Sequence, residues 1–310
     1  MAENANVFDA VIIGGGPAGV SAAIYSARKA LKTALLEGKL IGGETASSGE
    51  IENYAGIESI KGPELAEKLE SHLRKFVSDV ISETAVSVSK KDGIFEIQTE
   101  EGKRISGRSV IIATGAKYRE LGIPGEKKFR GKGVSYCTAC DAPFFRGKTV
   151  VVVGGGNTGV DAAILLSKIA KKTYLMHRRE ELRAEEILQK RLDKGGVEKI
   201  LGVEPLEISE NGNAKKITYK VLKTGETKSI DVEGIFIHVG TVPSSELAKM
   251  LGVETDVNGY VKTDGKKRTN VEGVFAAGDI TGTLQQIVVA AGEGAIAATS
   301  AYDYLKSRKE

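Results

Sequence analysis

The chain has 310 residues, 41% hydrophobic and 27% charged, and its 44 basic and 41 acidic side chains leave a net charge of +3. That length suits two domains, and so even a balance excludes a protein that meets nucleic acid or a membrane surface through a global basic field. The polar segment 1–7 lacks the apolar core of a signal peptide, and no apolar run reaches the roughly 18 residues of a membrane span, so the expected location is cytoplasmic.

The first readable element is an apolar run, Val11 to Ile13, followed by G-x-G-x-x-G (Gly14, Gly16, Gly19) and a small-residue stretch at helical spacing. This is the strand–turn–helix of a dinucleotide site. One glycine allows the tight turn, one lets backbone approach pyrophosphate, and one lets helix and strand pack closely. The helix N-terminus offers unpaired N–H groups to the phosphates. Twenty-three residues after Gly14, at the end of the next strand, stands Glu37, where a carboxylate accepts from ribose hydroxyls and repels a 2′-phosphate. Further on, VIIATGA (110–116) reads as a strand ending in a small-residue turn.

Residues 135–145, SYCTACDAPFF, hold the chain's two cysteines, Cys137 and Cys140, with Asp141 beside them. C-x-x-C permits a small reversible disulfide ring and favours a thiolate, and a neighbouring carboxylate can give and take the proton that dithiol chemistry moves. A zinc site would need two more ligands at metal spacing. The three histidines, His72, His177 and His238, do not supply them, so no metal is expected.

The glycine fingerprint then repeats. DAVIIGGGPAGVSAAI (9–24) and TVVVVGGGNTGVDAAI (149–164) agree at nine of sixteen positions. Twenty-three residues after Gly154 the ribose-reading position is His177, followed by Arg178 and Arg179, with Arg183 four residues on. Guanidinium forks match phosphate oxygens, so the first copy implies FAD and the second NADPH. The competing reading of HRREELR is a solvated helix start laced by i,i+4 contacts. Near the C-terminus GVFAAGD (273–279) reads as a strand delivering Asp279 to the ribityl hydroxyls, or else a turn aspartate capping the next helix. GAIAATSAYDYL (294–305) reads as a closing helix.

GGGPAG (14–19), IATGA (112–116), CTACD (137–141), GGGNTG (154–159), HRREELR (177–183) and FAAGD (275–279), in this order, resemble the low-molecular-weight thioredoxin reductases over essentially the whole chain. The resemblance implies an α/β fold of two Rossmann-like, three-layer ββα domains, the second inserted into the first. An FAD domain would take residues 1–117 and 246–310, and an NADPH domain carrying the C-x-x-C would take 118–245. Hinges would fall near Lys117–Gly122 and Pro243–Glu246, and the protein would act as a homodimer. FAD contacts would fall on Gly14, Gly16, Pro17, Ala18, Gly19, Glu37, Gly43, Glu44, Asn53, Ala113, Thr114, Gly115, Gly278, Asp279, Gln285, Gln286 and Ile287. NADPH contacts would fall on Gly154, Gly156, Asn157, Thr158, His177, Arg178, Arg179 and Arg183. Cys140 would face the flavin, Cys137 would attack the disulfide of thioredoxin, and Asp141 would be the acid/base.

The chain departs from the family pattern at Glu44, where glutamine is usual, at Gln285 in place of arginine, in C-T-A-C-D-A for C-A-T-C-D-G, and at Gly159 in place of alanine. Two rival readings remain: a flavoprotein with another disulfide client, such as a glutaredoxin-like protein or a peroxide-reducing system, and a flavin electron-transfer module. The second class lacks the cysteine pair.

Overall fold

The computed structural model describes residues 7–48, 50–212 and 214–308, with the side chains of Glu50, Ala139 and Cys140 outside the description. The chain divides into two compact units, Met1–Lys117 with Val242–Glu310, and Tyr118–Thr241. The return to the first unit comes at Val242, four residues ahead of the boundary set from sequence at Glu246. The reason is local: Ser244 already belongs to the first unit, donating its N–H to the Gly115 carbonyl at 3.0 Å and accepting from the Thr114 hydroxyl at 2.7 Å.

In the first unit β1 (Val7–Ile13) runs through the first glycine loop into α1 (Pro17–Arg28) and the parallel strand β2 (Thr33–Leu36). After α2 (Gly62–Arg74) come β3 (Asp79–Ile81), a hairpin of β4 (Ala85–Lys91) and β5 (Ile94–Thr99), and the long strand β6 (Arg104–Ile112). The second unit holds β7 (Val134–Ser135), α3 (Thr138–Asp141), β8 (Thr149–Val153), α4 (Asn157–Ser167), β9 (Lys172–His177), α5 (Glu186–Lys194) and β10 (Glu198–Leu201). It continues as a meander of β11 (Val203–Asn211), β12 (Ala214–Val221) and β13 (Thr227–Val232), and returns through β14 (Gly234–Ile237). The first unit closes with β15 (Val274–Ala276) and α6 (Ile287–Ser307).

The main sheet of the first unit has the order β3–β2–β1–β6–β5–β4, and β15 pairs in parallel with the second half of β6. Strand β1 is apolar almost throughout because the sheet is covered on both faces. Ala10 and Ile12 pack with α1 and α6 on one side. Val11 and Ile13 pack with Val88, Phe95, Ile97 and Ile105 of the β-rich layer on the other. The second unit repeats the plan with a parallel sheet β7–β14–β8–β9–β10. Val150 and Val152 pack toward the helical side, and Val151 and Val153 toward the meander. Both units are therefore three-layer ββα sandwiches.

Helix α6 begins seven residues before the segment read from sequence, at Ile287 rather than at Gly294. Two glycines obscured its first turns. Gly292 is exposed with open space where a side chain would stand, but Gly294 lies so close to the Ala18 carbonyl of α1 that a Cβ has no room. The contrast is testable within one helix on protein loaded with FAD. Gly294→Ala should destabilise by about 1–3 kcal/mol through overpacking. Gly292→Ala should stabilise by about 0.5–1 kcal/mol by removing a mid-helix glycine. Urea midpoints of the two variants measure both; equal shifts would mean that α1 and α6 adjust freely.

Candidate functional site

Three strand ends meet at the first glycine loop. Gly14 has φ +110°, and a Cβ there would collide with the Ala113 carbonyl at the end of β6. The Ala113 N–H donates to the Ile13 carbonyl at 2.8 Å, and the Ala277 N–H to the Ile112 carbonyl at 3.1 Å. Gly14, Ala113–Gly115 and Gly278–Asp279 are thereby brought together from three distant stretches of sequence. Gly16 precedes α1 with open space at its Cβ position, and the first turn of α1 carries no side-chain cap. The N–H groups of Ala18 and Gly19 therefore remain for a phosphate, as a dinucleotide requires, while Pro17 at the first helical position has none to offer.

Glu37 bends back over this loop. One carboxylate oxygen accepts from the Gly15 N–H at 2.7 Å, the other from the Lys39 N–H at 2.8 Å. Gly15, which the sequence reading passed over, is as constrained as its neighbours: a Cβ would stand 2.9 Å from the Glu37 side chain. The signal was there, since both fingerprints have glycine at the variable position as well. Gly42 donates to the Gly15 carbonyl at 2.8 Å, which sets Gly43 beside Gly16, and Glu44 follows close enough for its charge to act on Asp279. Asn53 donates to Gln286 at 2.8 Å across 233 residues, and Ile287 packs against the cluster of Ile51, Ile60 and Leu65. Gln285 instead bonds the Tyr260 hydroxyl at 3.3 Å.

Asp279 opens a single 3-10 turn (Asp279–Thr281) and caps no helix. Its carboxylate accepts no hydrogen bond from the described residues. Burial, then the negative charges of Glu44 and Glu293, push its carboxyl above the usual range. Glu293 is the residue that sequence reasoning missed. It is buried on α6 and accepts from the Gly278 N–H at 2.8 Å, the Thr281 hydroxyl at 3.1 Å, the Thr283 hydroxyl at 2.7 Å and the Lys267 ammonium at 2.5 Å. Burial alone would raise this carboxyl, but Lys267, Thr283 and the Gly278 N–H hold it low. One charge inside AAGEGAIAA was the available hint. The group that fits this cradle is FAD: an uncapped helix start for phosphate, a carboxylate at the ribose position, and a second, unpartnered carboxylate for hydroxyl donors.

The second loop repeats the geometry with opposite charge. Gly154 has φ +140° and abuts the His238 carbonyl at the end of β14, and Gly159 packs against the Gly154 carbonyl. That contact leaves no space for the alanine methyl usual in the family. His177 covers Gly155 as Glu37 covers Gly15; a Cβ on Gly155 would lie 2.5 Å from the imidazole. Residues 178–185 are not helical, and α5 starts at Glu186, so the helix-start reading of HRREELR does not describe this segment. Asn157 clasps its far end, accepting from the Glu185 N–H at 2.9 Å and donating to the Glu185 carboxylate at 2.9 Å. Arg178, Arg179 and Arg183 are exposed and form no ion pair among the described residues. Burial first, then these three guanidiniums, lower the His177 pKa, and its Nε2 is buried without a partner. Unpaired cations around a neutral ring suit the 2′-phosphate of NADPH.

The cysteine turn follows the edge strand β7. Cys137 is half-buried and disulfide-bonded; the sequence offers one other cysteine, Cys140, whose side chain lies outside the described residues. Ser135 brackets Cys137, its hydroxyl accepting from the Cys137 N–H at 3.1 Å and donating to the Cys137 carbonyl at 3.2 Å. The Tyr136 hydroxyl donates to buried Glu126, which also accepts from the N–H groups of Leu121 at 2.8 Å and Gly122 at 2.7 Å. Burial, then the bond and charge of Glu126, push the Tyr136 phenol up. The Asp141 N–H donates to the Cys137 carbonyl at 3.2 Å, and its half-buried carboxylate accepts no hydrogen bond from the described residues. Nothing in the spacing around Glu126 singled it out beforehand. Among the described residues no cluster of His, Cys, Asp and Glu could hold a metal, and no helix is long and apolar enough to cross a membrane.

The family model of pyridine nucleotide-disulphide oxidoreductases matches residues 8–294. The thioredoxin reductase of Bacillus subtilis is 41% identical over 98% of this chain and 96% of its own length. The crystal structure of Lactococcus lactis thioredoxin reductase superposes with a TM-score of 0.93 at 40% identity, covering 97% of this chain and 99% of the other. That of T. acidophilum thioredoxin reductase gives 0.92 at 38%, covering 96% and 98%. With the family match running over residues 8–294 and relatives alike over nearly the whole chain, this chain belongs to the pyridine nucleotide-disulphide oxidoreductases.

Proposed function

We propose that this protein reduces the disulfide of thioredoxin with NADPH, through FAD held in the first unit and the Cys137–Cys140 pair of the second. The observation that carries the reading is the cysteine turn, anchored on the strand end that also supports the second nucleotide loop. Bound FAD would relay two electrons from nicotinamide to the disulfide. Glu37 would orient the adenosine ribose, the first turn of α1 the pyrophosphate, and Asp279 the ribityl chain. Arg178, Arg179 and Arg183 would read the 2′-phosphate.

On the protein side the step is a thiol–disulfide exchange. Two electrons open the Cys137–Cys140 bond. The Cys137 thiolate attacks one thioredoxin sulfur and the other leaves with a proton, for which Asp141 is the donor in reach. The Cys140 thiolate then attacks Cys137, restoring the enzyme disulfide and expelling the second thioredoxin sulfur as a thiolate, which takes a proton from solvent to complete the dithiol. A cytoplasmic homodimer, with FAD and NADPH domains at the boundaries given above, belongs to the same reading. Uptake of one FAD per chain and a thioredoxin-dependent oxidation of NADPH test it; failure of both would remove it.

Cys137→Ser should leave a Cys140 thiolate against oxidised flavin, seen as a long-wavelength charge-transfer band. Cys140→Ser should lack the band and trap a thioredoxin variant as a mixed disulfide. The reverse pattern would exchange the two roles.

Replacing Arg178 and Arg179 by neutral residues should raise KM for NADPH by roughly one to two decades, at about 1.5–3 kcal/mol per charge-assisted contact, and leave NADH nearly unchanged. The same change should move the His177 titration upward in NMR, since two of the charges that lower it are gone. Equal weakening of both cofactors would assign the arginines to the fold.

Because the folded Asp279 carboxyl titrates above its unfolded value, its contribution to stability is complete in acid and lost as pH rises through the raised pKa. Asp279→Asn should therefore melt higher than the parent in the flavin-free form at neutral pH, with the gap closing toward acid, while FAD affinity falls. Parallel melting curves at all pH values would show that Asp279 is not strained.

A further inference from the structure

The redox turn needs support from outside itself. Helix α3 has four residues, Thr138–Asp141, and its i,i+4 bond from Asp141 to Cys137 is 3.2 Å long. A helix this short is far below the length that sustains itself in water. Ser135 and Glu126 fix the residues before it, through Cys137 and Tyr136. On the other side of Cys137 the holding residue is His238. The buried Thr138 hydroxyl and the His238 Nε2 are 2.7 Å apart, across 100 residues. His238 directly follows β14, and its own N–H donates to the Val153 carbonyl of β8 at 2.7 Å. Its carbonyl is the group against which Gly154 packs. One residue thus touches the turn between the cysteines with its side chain and the nucleotide loop with its backbone.

The imidazole is neutral at physiological pH, because burial lowers its pKa to about 4. Its Nδ1 is buried and has no hydrogen-bond partner, while the ring meets Tyr118 edge-on at 6.5 Å. With the ring proton on Nε2, the one N–H has an acceptor and Nδ1 is left a bare lone pair. The opposite tautomer would leave Nδ1–H without an acceptor among the described residues, just as this one leaves the Thr138 hydroxyl proton without one. In either tautomer one hydrogen bond joins Nε2 to the Thr138 hydroxyl.

We propose that His238 is a positioning residue for the disulfide exchange, holding Thr138, and with it the turn that carries Cys137 and Cys140, to the strand end beneath the NADPH loop. The departure from C-A-T-C to C-T-A-C is what makes this bond possible, since it moves the hydroxyl to the position after the first cysteine. The proposal rests on the reading of Cys137–Cys140 as the redox pair.

The test uses FAD-loaded protein with four single substitutions and one double variant. Cys137→Ser checks the underlying reading: loss of thioredoxin turnover upholds it, and full turnover overturns both it and the present proposal. Thr138→Val deletes the hydroxyl at nearly constant shape, and Thr138→Ser restores it. Losing one buried hydrogen bond should slow thioredoxin reduction about five- to tenfold in Thr138→Val, with near-parental rates in Thr138→Ser. Flavin reduction by NADPH should be unchanged in both. Cys137 is disulfide-bonded in the structure that shows the contact, so the deletion should also raise the dithiol–disulfide potential. The rise should be roughly 20–30 mV, the two-electron equivalent of that factor. His238→Gln supplies the second check: combined with Thr138→Val it should add nothing to the single effect, as expected for two ends of one bond. Parental potential and turnover in Thr138→Val, or strictly additive effects of the two changes, would reduce the contact to packing and overturn the proposal.

Discussion

Everything at both nucleotide loops depends on one close approach, that of a glycine at a strand end to the carbonyl of the neighbouring strand. Gly14 meets Ala113, and Gly154 meets His238, each with a positive φ that a side chain resists. Because no Cβ intervenes, the chain turns sharply enough to send α1 and α4 back along the sheet with their first turns facing outward. The uncapped N–H groups of each first turn are thereby left facing away from the sheet, the arrangement that suits a phosphate. The same closeness places the end of the next strand over the loop, so that Glu37 covers Gly15 and His177 covers Gly155 with no further device.

From that shared frame the two sites diverge by charge alone. In the first unit Glu37, Glu44, Asp279 and Glu293 put carboxylates around the cradle, and Lys267 offsets the most buried of them. Asp279 is held there uncomfortably, which is the usual state of a binding group awaiting its ligand. In the second unit three unpaired guanidiniums stand around a half-buried, neutral imidazole. The contrast explains how one duplicated unit hosts two nucleotides without exchanging them.

The cysteine turn obeys a different constraint. It is too short to be stable by itself, and it follows an edge strand of two residues. Its geometry is imposed by groups distant in sequence: Glu126 through Tyr136, and His238 through Thr138. A turn held from both sides keeps its backbone in place while its own hydrogen bonding stays minimal, which suits a segment that opens and closes a disulfide in every cycle.

By itself the sequence determined the duplicated strand–loop–helix unit, Glu37 and His177 at equal offset from Gly14 and Gly154 with arginines following only the second, and the cysteine pair with Asp141, because each is a local pattern whose spacing follows from strand and helix geometry. Spacing also carried the ends of β6 and β15 toward the first loop. It could not carry Glu293, Glu126 or the Thr138–His238 bond. Each of these joins groups 10 to 100 residues apart, and no periodicity reports on such a meeting. The start of α6 was hidden for a related reason: Gly292 and Gly294 argue locally against helix, and only the packing of Gly294 on α1 outweighs that preference. The division at Val242 likewise follows from Ser244 bonding to Thr114 and Gly115, a contact that exists only once the inserted unit has brought the two ends of the chain together.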